Sequence, residues 1–155
     1  MNSEKELKIE KIKKGTVLDH LPGGTAPKVV QILGLDKDWE KPVSIAMNVP
    51  SRKDGKKDIV KIEDRILEKD ETDKLGLIAN KATINLIENY KVIGKHHISP
   101  SDELEGILVC KNPNCVTNRN EPITTRFTLE SKEPLKLRCK YCERLMDKVL
   151  IKSQL

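Results

Sequence analysis

Cys110-Lys-Asn-Pro-Asn-Cys115 and, after 23 intervening residues, Cys139-Lys-Tyr-Cys142 contain all four cysteines of this 155-residue chain. Each segment reads as a loop that turns two thiolates towards one point, and two such loops complete a four-sulfur shell. Zinc takes tetrahedral thiolate sulfur at about 2.3 Å and is commonly held by paired loops of this kind. Pro113 and the asparagines beside it favour the turn that the first loop needs. A redox Cys-x-x-Cys pair accounts for Cys139 and Cys142 but leaves Cys110 and Cys115 unexplained. Two disulfides would need an oxidising compartment. Met1–Lys14 is charged throughout, without the apolar h-region of a secretory signal, so a cytosolic chain is expected. There, a cysteine cluster points to metal; spacing alone does not separate zinc from iron. Four protein ligands leave no open coordination position, so one structural ion is expected rather than a catalytic one. Lys111, Arg138, Lys140 and Arg144 lie close by in sequence and would offset the negative charge of a four-thiolate centre.

Around the cysteines the chain offers short strands at Ile107–Val109, Ile123–Leu129, Leu135–Leu137 and Val149–Ile151, with too little apolar surface to stand unaided. Upstream, His96-His97-Ile98-Ser99-Pro100-Ser101-Asp102-Glu103 is polar and proline-broken and reads as a linker. The expected division is therefore a first domain over 1–99 and a small all-β zinc-binding domain over 100–155.

The first domain alternates strand-like and helix-like patterns. Leu7 and Ile9 alternate with charges, and Gly15 interrupts the run before Thr16–His20. Thr25 is placed to cap a helix with Pro27 in its first turn; Val29, Val30, Ile32 and Leu33 supply its apolar stripe, and Gly34 ends it. Pro42–Val49 alternates as a strand, Asp54-Gly55 signals a hairpin, and Lys57–Leu67 is a second strand with Val60, Ile62 and Ile66 on one face. Asp70–Ala79 reads as a helix with acids at its start, and Ala82–Gly94 is the longest β-rich run. The order strand, helix, strand, strand, helix, strand predicts an α+β, ferredoxin-like antiparallel sheet with two helices.

Charge narrows the functional classes. The chain carries 29 basic and 24 acidic residues, net +5, with one Phe, two Tyr and one Trp. That mixed balance and the shortage of aromatics disfavour a nucleic-acid reader, and no run approaches the roughly 20 apolar residues of a membrane span. Neither a nucleophile–base pair nor a carboxylate dyad suggests catalysis. Lys57 and Lys61 share one strand face, Lys95 ends a strand after Gly94, and Asp19-His20 follows the Lys13–Thr16 turn. Such cations can hold a triphosphate, with Asp19 accepting from a ribose hydroxyl and Tyr90 and Ile12 flanking a base. On pattern alone, solvated surface lysines account for them more readily. With no Walker loop, any nucleotide here is gripped by side chains.

Four stretches carry a resemblance that covers essentially the whole chain: Ile12–Pro22, Lys57–Glu63, Asn85–Lys95 and Cys139–Glu143. In order and spacing, these closely resemble the aspartate carbamoyltransferase regulatory chain. The resemblance implies a non-catalytic subunit of pyrimidine synthesis that binds CTP as feedback inhibitor and ATP at the same site. It implies dimerisation through the first domain and docking of the zinc domain on the catalytic chain. Two catalytic trimers and three regulatory dimers would form the holoenzyme. Carried over by motif, the nucleotide site comprises Ile9, Glu10, Ile12, Asp19, His20, Lys57, Lys61, Asn85, Ile87, Tyr90, Val92 and Lys95. Lys95 and His20 would take phosphates, Asp19 and Lys61 the ribose region, and backbone near Ile12 and Tyr90 the base. Lys11 and His97 depart from the family pattern. A zinc-ribbon nucleic-acid binder and a nucleotide sensor with another client are the competing readings.

Overall fold

The computed structural model describes residues 11–53 and 55–155. The expected strand at Leu7–Ile9, the site residues Ile9 and Glu10, and Asp54 of the hairpin signal lie outside the described residues. Two antiparallel sheets organise the rest. The first holds β1 (Lys14–Pro22), β2 (Val43–Ser51), β3 (Gly55–Glu63), β4 (Thr83–Glu88) and β5 (Lys91–His97) in the order β2-β3-β1-β4-β5. Helices α1 (Ala26–Ile32) and α2 (Lys69–Ile78) connect β1 to β2 and β3 to β4. The first four strands and two helices are the expected ferredoxin-like sandwich; β5 is an addition at its edge. Leu18, Val60, Ile62 and Ile84 point to the helices and share a core with Val29, Leu75 and Ala79.

Several local expectations change. Ala82–Gly94 is not one strand but a hairpin, because Asn89 and Tyr90 both take positive φ (52° and 64°) and form its two-residue turn. Gly15 lies within β1 rather than interrupting it, and a Cβ there would sit 2.1 Å from the Ile62 carbonyl oxygen. β3 stops at Glu63, where Asp64 turns to positive φ, so Ile66 is exposed and off the face of Val60 and Ile62. Thr25 holds the N-cap position but its side chain caps no N–H: its hydroxyl donates to the Pro22 carbonyl, and the carboxylate of Asp58 receives the Ala26 N–H instead. β2 runs on through Pro50, which an edge strand tolerates.

The second sheet holds β6 (Glu103–Glu105), β7 (Arg126–Lys132), β8 (Leu135–Cys139) and β9 (Leu145–Asp147) in sequence order. Ile107–Val109 is loop, and β7 starts three residues later than expected. The expected strand at Val149–Ile151 is the short helix α3 (Lys148–Lys152), which Asp147 caps by accepting from the Leu150 N–H at 3.0 Å. The supposed linker is structured: His96 and His97 end β5, Ile98 is buried, and Glu103 opens β6. Among the described residues no helix is long and apolar enough to cross a membrane.

Helix α2 belongs to both halves. Leu75 and Ala79 pack in the first core, whereas Leu77 is buried among Leu104, Phe127, Leu137 and Ile151 of the second. At Gly76 the chain passes so close that a Cβ would lie 2.6 Å from the Ser99 carbonyl oxygen.

Candidate functional site

The two cysteine loops meet at one corner of the second sheet. In the first, Asn112 organises the turn: its side chain accepts the Asn114 N–H at 3.1 Å, and its carbonyl accepts the Cys115 N–H at 3.0 Å. Asn118 clamps the loop from outside, with Nδ2 donating to the carbonyls of Cys110 and Asn112, both at 2.7 Å. In the second, the Glu143 N–H returns to the Cys139 carbonyl and the Cys139 N–H to the Arg144 carbonyl, a tight knuckle that Glu143 closes at positive φ. Asn112 is one of the asparagines expected to favour this turn, whereas Thr117 and Asn118 are marked as supports only by their hydrogen bonds.

The sulfurs stand 3.6 Å apart for Cys110 and Cys142 and 3.7 Å for Cys115 and Cys139, and the four ligand atoms all lie within 4.8 Å of one another. A disulfide would need about 2.05 Å; all four cysteines are free. A tetrahedron with bonds of about 2.3 Å has an edge of about 3.8 Å, so this donor set fits one tetrahedral ion. Metal-free, the thiols share protons unevenly. Burial pushes Cys110 up to about 12. Burial also raises Cys142, but the Arg144 N–H, the Asn112 side chain and the neighbouring thiols outweigh it and bring Cys142 down to about 7. A cation at the centre is what would hold all four as thiolates. Donors soften their charge: the Thr117 hydroxyl donates to Cys115 Sγ at 3.2 Å, and backbone N–H groups of Tyr141 and Cys142 reach Cys139. Of the nearby cations, Arg138 pairs with Glu130 and Lys140 with Glu103.

The second constellation lies on the sheet face that the helices leave uncovered. Register places Lys61, Val17, Asn85 and Lys95 in one transverse row across β3, β1, β4 and β5. Three inter-strand gaps of about 4.8 Å put the ends of this row about 14 Å apart, so the cations span an elongated ligand rather than pinch one phosphate. Asp19 sits beside the row with Lys57 Nζ 3.0 Å from Oδ1 and His20 Nε2 3.8 Å from Oδ2. Burial, then the nearby Lys11, lowers the Lys61 pKa, and Asp19 partly opposes them. Ile87 lies in the next row of β4, opposite Gly15, while Ile12 is buried before β1. Tyr90 and Val92 are exposed at the β4–β5 turn, and the Tyr90 N–H is taken by the Lys13 carbonyl at 3.0 Å.

Comparison with known proteins assigns both halves. Residues 7–99 match the family model for the aspartate carbamoyltransferase regulatory chain, allosteric domain, and residues 102–152 match that for its metal binding domain. The chain belongs to this family. The aspartate carbamoyltransferase regulatory chain of Thermococcus gammatolerans is 53% identical over 142 residues, covering 92% of this chain and 93% of the relative. That of Pyrococcus horikoshii is 51% identical over 151 residues (97% and 99%), and that of Methanocella arvoryzae 47% over 148 residues (95% of each). As an aspartate carbamoyltransferase regulatory chain, the protein is a non-catalytic subunit with an allosteric domain and a metal-binding domain, and the four-cysteine cluster falls within the latter.

Proposed function

We propose that the uncovered face of the first sheet binds CTP as feedback inhibitor and ATP as its competitor, and that the chain passes the effect to a catalytic chain of aspartate carbamoyltransferase in the cytosol. The observation that carries this reading is the row of Lys61, Asn85 and Lys95 beside the Asp19–Lys57 ion pair. Cations at both ends suit a polyphosphate, and a carboxylate between them suits a ribose hydroxyl. One zinc ion, held by Cys110, Cys115, Cys139 and Cys142, keeps the second domain folded as a docking platform. Its exposed Val109, Tyr141, Leu145 and Val149 offer apolar contact area to the catalytic chain. Homodimerisation through the first domain is supported by edge strand β2, which exposes Ile45 and Met47 and, among the described residues, pairs on one side only. Two catalytic trimers and three such dimers make the assembly.

Regulation then rests on differential affinity. CTP must bind the less active holoenzyme more tightly, and by linkage substrates weaken CTP, with a coupling of about 1–3 kcal/mol. The shift between domains would hinge near Ser99–Ser101. Calorimetric titration of the zinc-loaded chain with CTP tests the site. Lys95→Ala and Lys61→Ala should each weaken binding at least tenfold; unchanged heats in both would refute the assignment. Recovery of a catalytic trimer with the tagged chain tests the partner.

A further inference from the structure

We infer that Asp58, buried in the middle of β3, is the positioning residue that sets the Asp19–Lys57 end of the nucleotide site, an inference that rests on the proposed binding face. Asp58 is fully buried, and its carboxylate accepts three backbone N–H groups: Gly24 and Ala26 on Oδ2 and Asn48 on Oδ1, each at 2.9 Å. These donors lie on both sides of β3, and each side carries a bulge. On β1, Leu18 pairs with Val60 and Leu21 with Asp58, so Asp19 and His20 together oppose Ile59 alone. On β2, Ala46 pairs with Ile59 and Val49 with Lys57, so Met47 and Asn48 together oppose Asp58. Each bulge contains one residue at positive φ, His20 at 56° and Asn48 at 58°. A bulge re-aims side chains and disrupts the ladder locally, and buried backbone N–H groups left out of the ladder take hydrogen bonds from elsewhere.

Asp58 supplies them. It grips the backbone just after the β1 bulge, at Gly24 and Ala26, and inside the β2 bulge, at Asn48. In a regular β1 the alternation of side chains would turn His20 to the core and Leu21 to the open face; the extra residue keeps Leu21 in the core. His20 is thereby held beside Asp19, its Nε2 3.8 Å from Asp19 Oδ2, while Asp19 pairs at 3.0 Å with Lys57, the residue preceding Asp58. The far end of the row, Lys95 on β5, receives no such support from Asp58, because β1 and β4 lie between them. This asymmetry separates positioning from general stability.

The test uses the full zinc-loaded chain and CTP calorimetry with Asp58→Asn, alone and combined with Lys57→Ala or Lys95→Ala. An amide in place of the carboxylate turns an NH2 group towards N–H donors, so the grip is lost on one side. Binding should weaken at least tenfold in Asp58→Asn. Lys57→Ala should then cost less than twofold more, because Lys57 is already displaced, whereas Lys95→Ala should keep the full effect it has in the parent chain. Equal effects of Lys57→Ala in both backgrounds, or unweakened binding in Asp58→Asn, would overturn the inference. Gly23→Ala covers the case in which Asp58→Asn does not fold. A Cβ at Gly23 would lie 3.0 Å from Asn48 Oδ1 and press on the same junction, and the same selective loss of the Lys57 effect is expected, at smaller size. If the parent chain gives no CTP heat, the binding face itself is refuted, an outcome distinct from any of these.

Discussion

Stripping the metal from the intact chain should melt the second sheet and leave the first standing. The cysteines are not appended to the second core but part of it: Cys110, Cys115 and Cys139 are buried in one cluster with Leu104, Leu108, Phe127, Leu137 and Met146. Domains below about 70–80 residues rarely draw more than about 3–5 kcal/mol from a core alone, whereas structural zinc contributes about 10–16 kcal/mol of folding free energy near neutral pH. Removal therefore exceeds what the sheet has in reserve. The effect should also reach into helix α2, because Leu77 is buried in that same cluster. Losing the burial of one leucine costs about 1.5–3 kcal/mol, so opening of the last α2 turn, reported by the Ala79 N–H bonded to the Leu75 carbonyl, should become roughly 10- to 100-fold more frequent. Hydrogen exchange read by mass spectrometry, before and after chelation verified by elemental analysis, measures all of this in one sample. Peptides from Arg126–Cys139 should exchange fully, those ending at Ala79 should quicken, and those from β1, β3 and β4 should not change. Fluorescence of the single tryptophan, Trp39, which packs on the first core, should stay as it was. Retained protection across Arg126–Cys139 in verified metal-free protein would refute the reasoning.

Two other outcomes follow from named contacts. The Lys61 pKa is lowered in the unliganded fold, first by burial and then by Lys11, so the charged form is disfavoured there and the free protein gains stability as pH rises through that lowered value. A bound triphosphate favours the charged form, so CTP affinity should fall as pH rises through the same window, below the ordinary 10.5; calorimetry across it should show the fall in the parent chain and a flat profile in Lys61→Ala. Arg65 donates to the Leu33 carbonyl at 2.8 Å, pairs with Glu71 and stacks 5.0 Å from the Trp39 ring, so Arg65→Ala should lower the first domain's stability by about 2–4 kcal/mol, read as a shifted urea midpoint in far-ultraviolet dichroism with the midpoint of the second domain unmoved.

The parts of the fold that sequence made legible are those with a local cause. Alternating Val60 and Ile62, the Pro27–Gly34 bracket of α1 and the paired cysteine loops each carry their geometry within a few residues. What stayed hidden depends on partners distant in sequence. Thr25 has the chemistry of a cap, but Asp58, 32 residues beyond Ala26, reaches the helix start first. Tyr90 at positive φ defies the steric preference of a bulky residue, so the β4–β5 turn left only Asn89 as a cue. Val149–Ile151 is apolar, with β-branched residues at both ends, yet Asp147 caps it into a helix whose Ile151 closes the second core. Likewise the lysines of the open face were individually indistinguishable from solvated surface; only pairing register sets Lys61 and Lys95 in one row.

The junction between the sheets shows the same dependence at the scale of function. Asp73, Gly76 and Leu77 fall on one side of α2 by helical spacing, and read singly they are one more acid near the helix start, a weak helix former and one more leucine. In three dimensions Asp73 receives the Ser101 hydroxyl, Gly76 admits the Ser99 backbone, and Leu77 enters the second core. The stretch that reads as a linker is therefore held by a helix whose other face, through Leu75 and Ala79, packs beneath the strands of the proposed nucleotide site. Strand β5 adds a second route, since it carries Lys95 only four residues before Ser99. A ligand that pulls on Lys95 acts directly on the chain entering the junction, and one that flexes the sheet acts on it through α2. Neither route requires the domains to swing freely; a shift of the packed junction between two arrangements suffices, because close-packed interfaces switch rather than stretch.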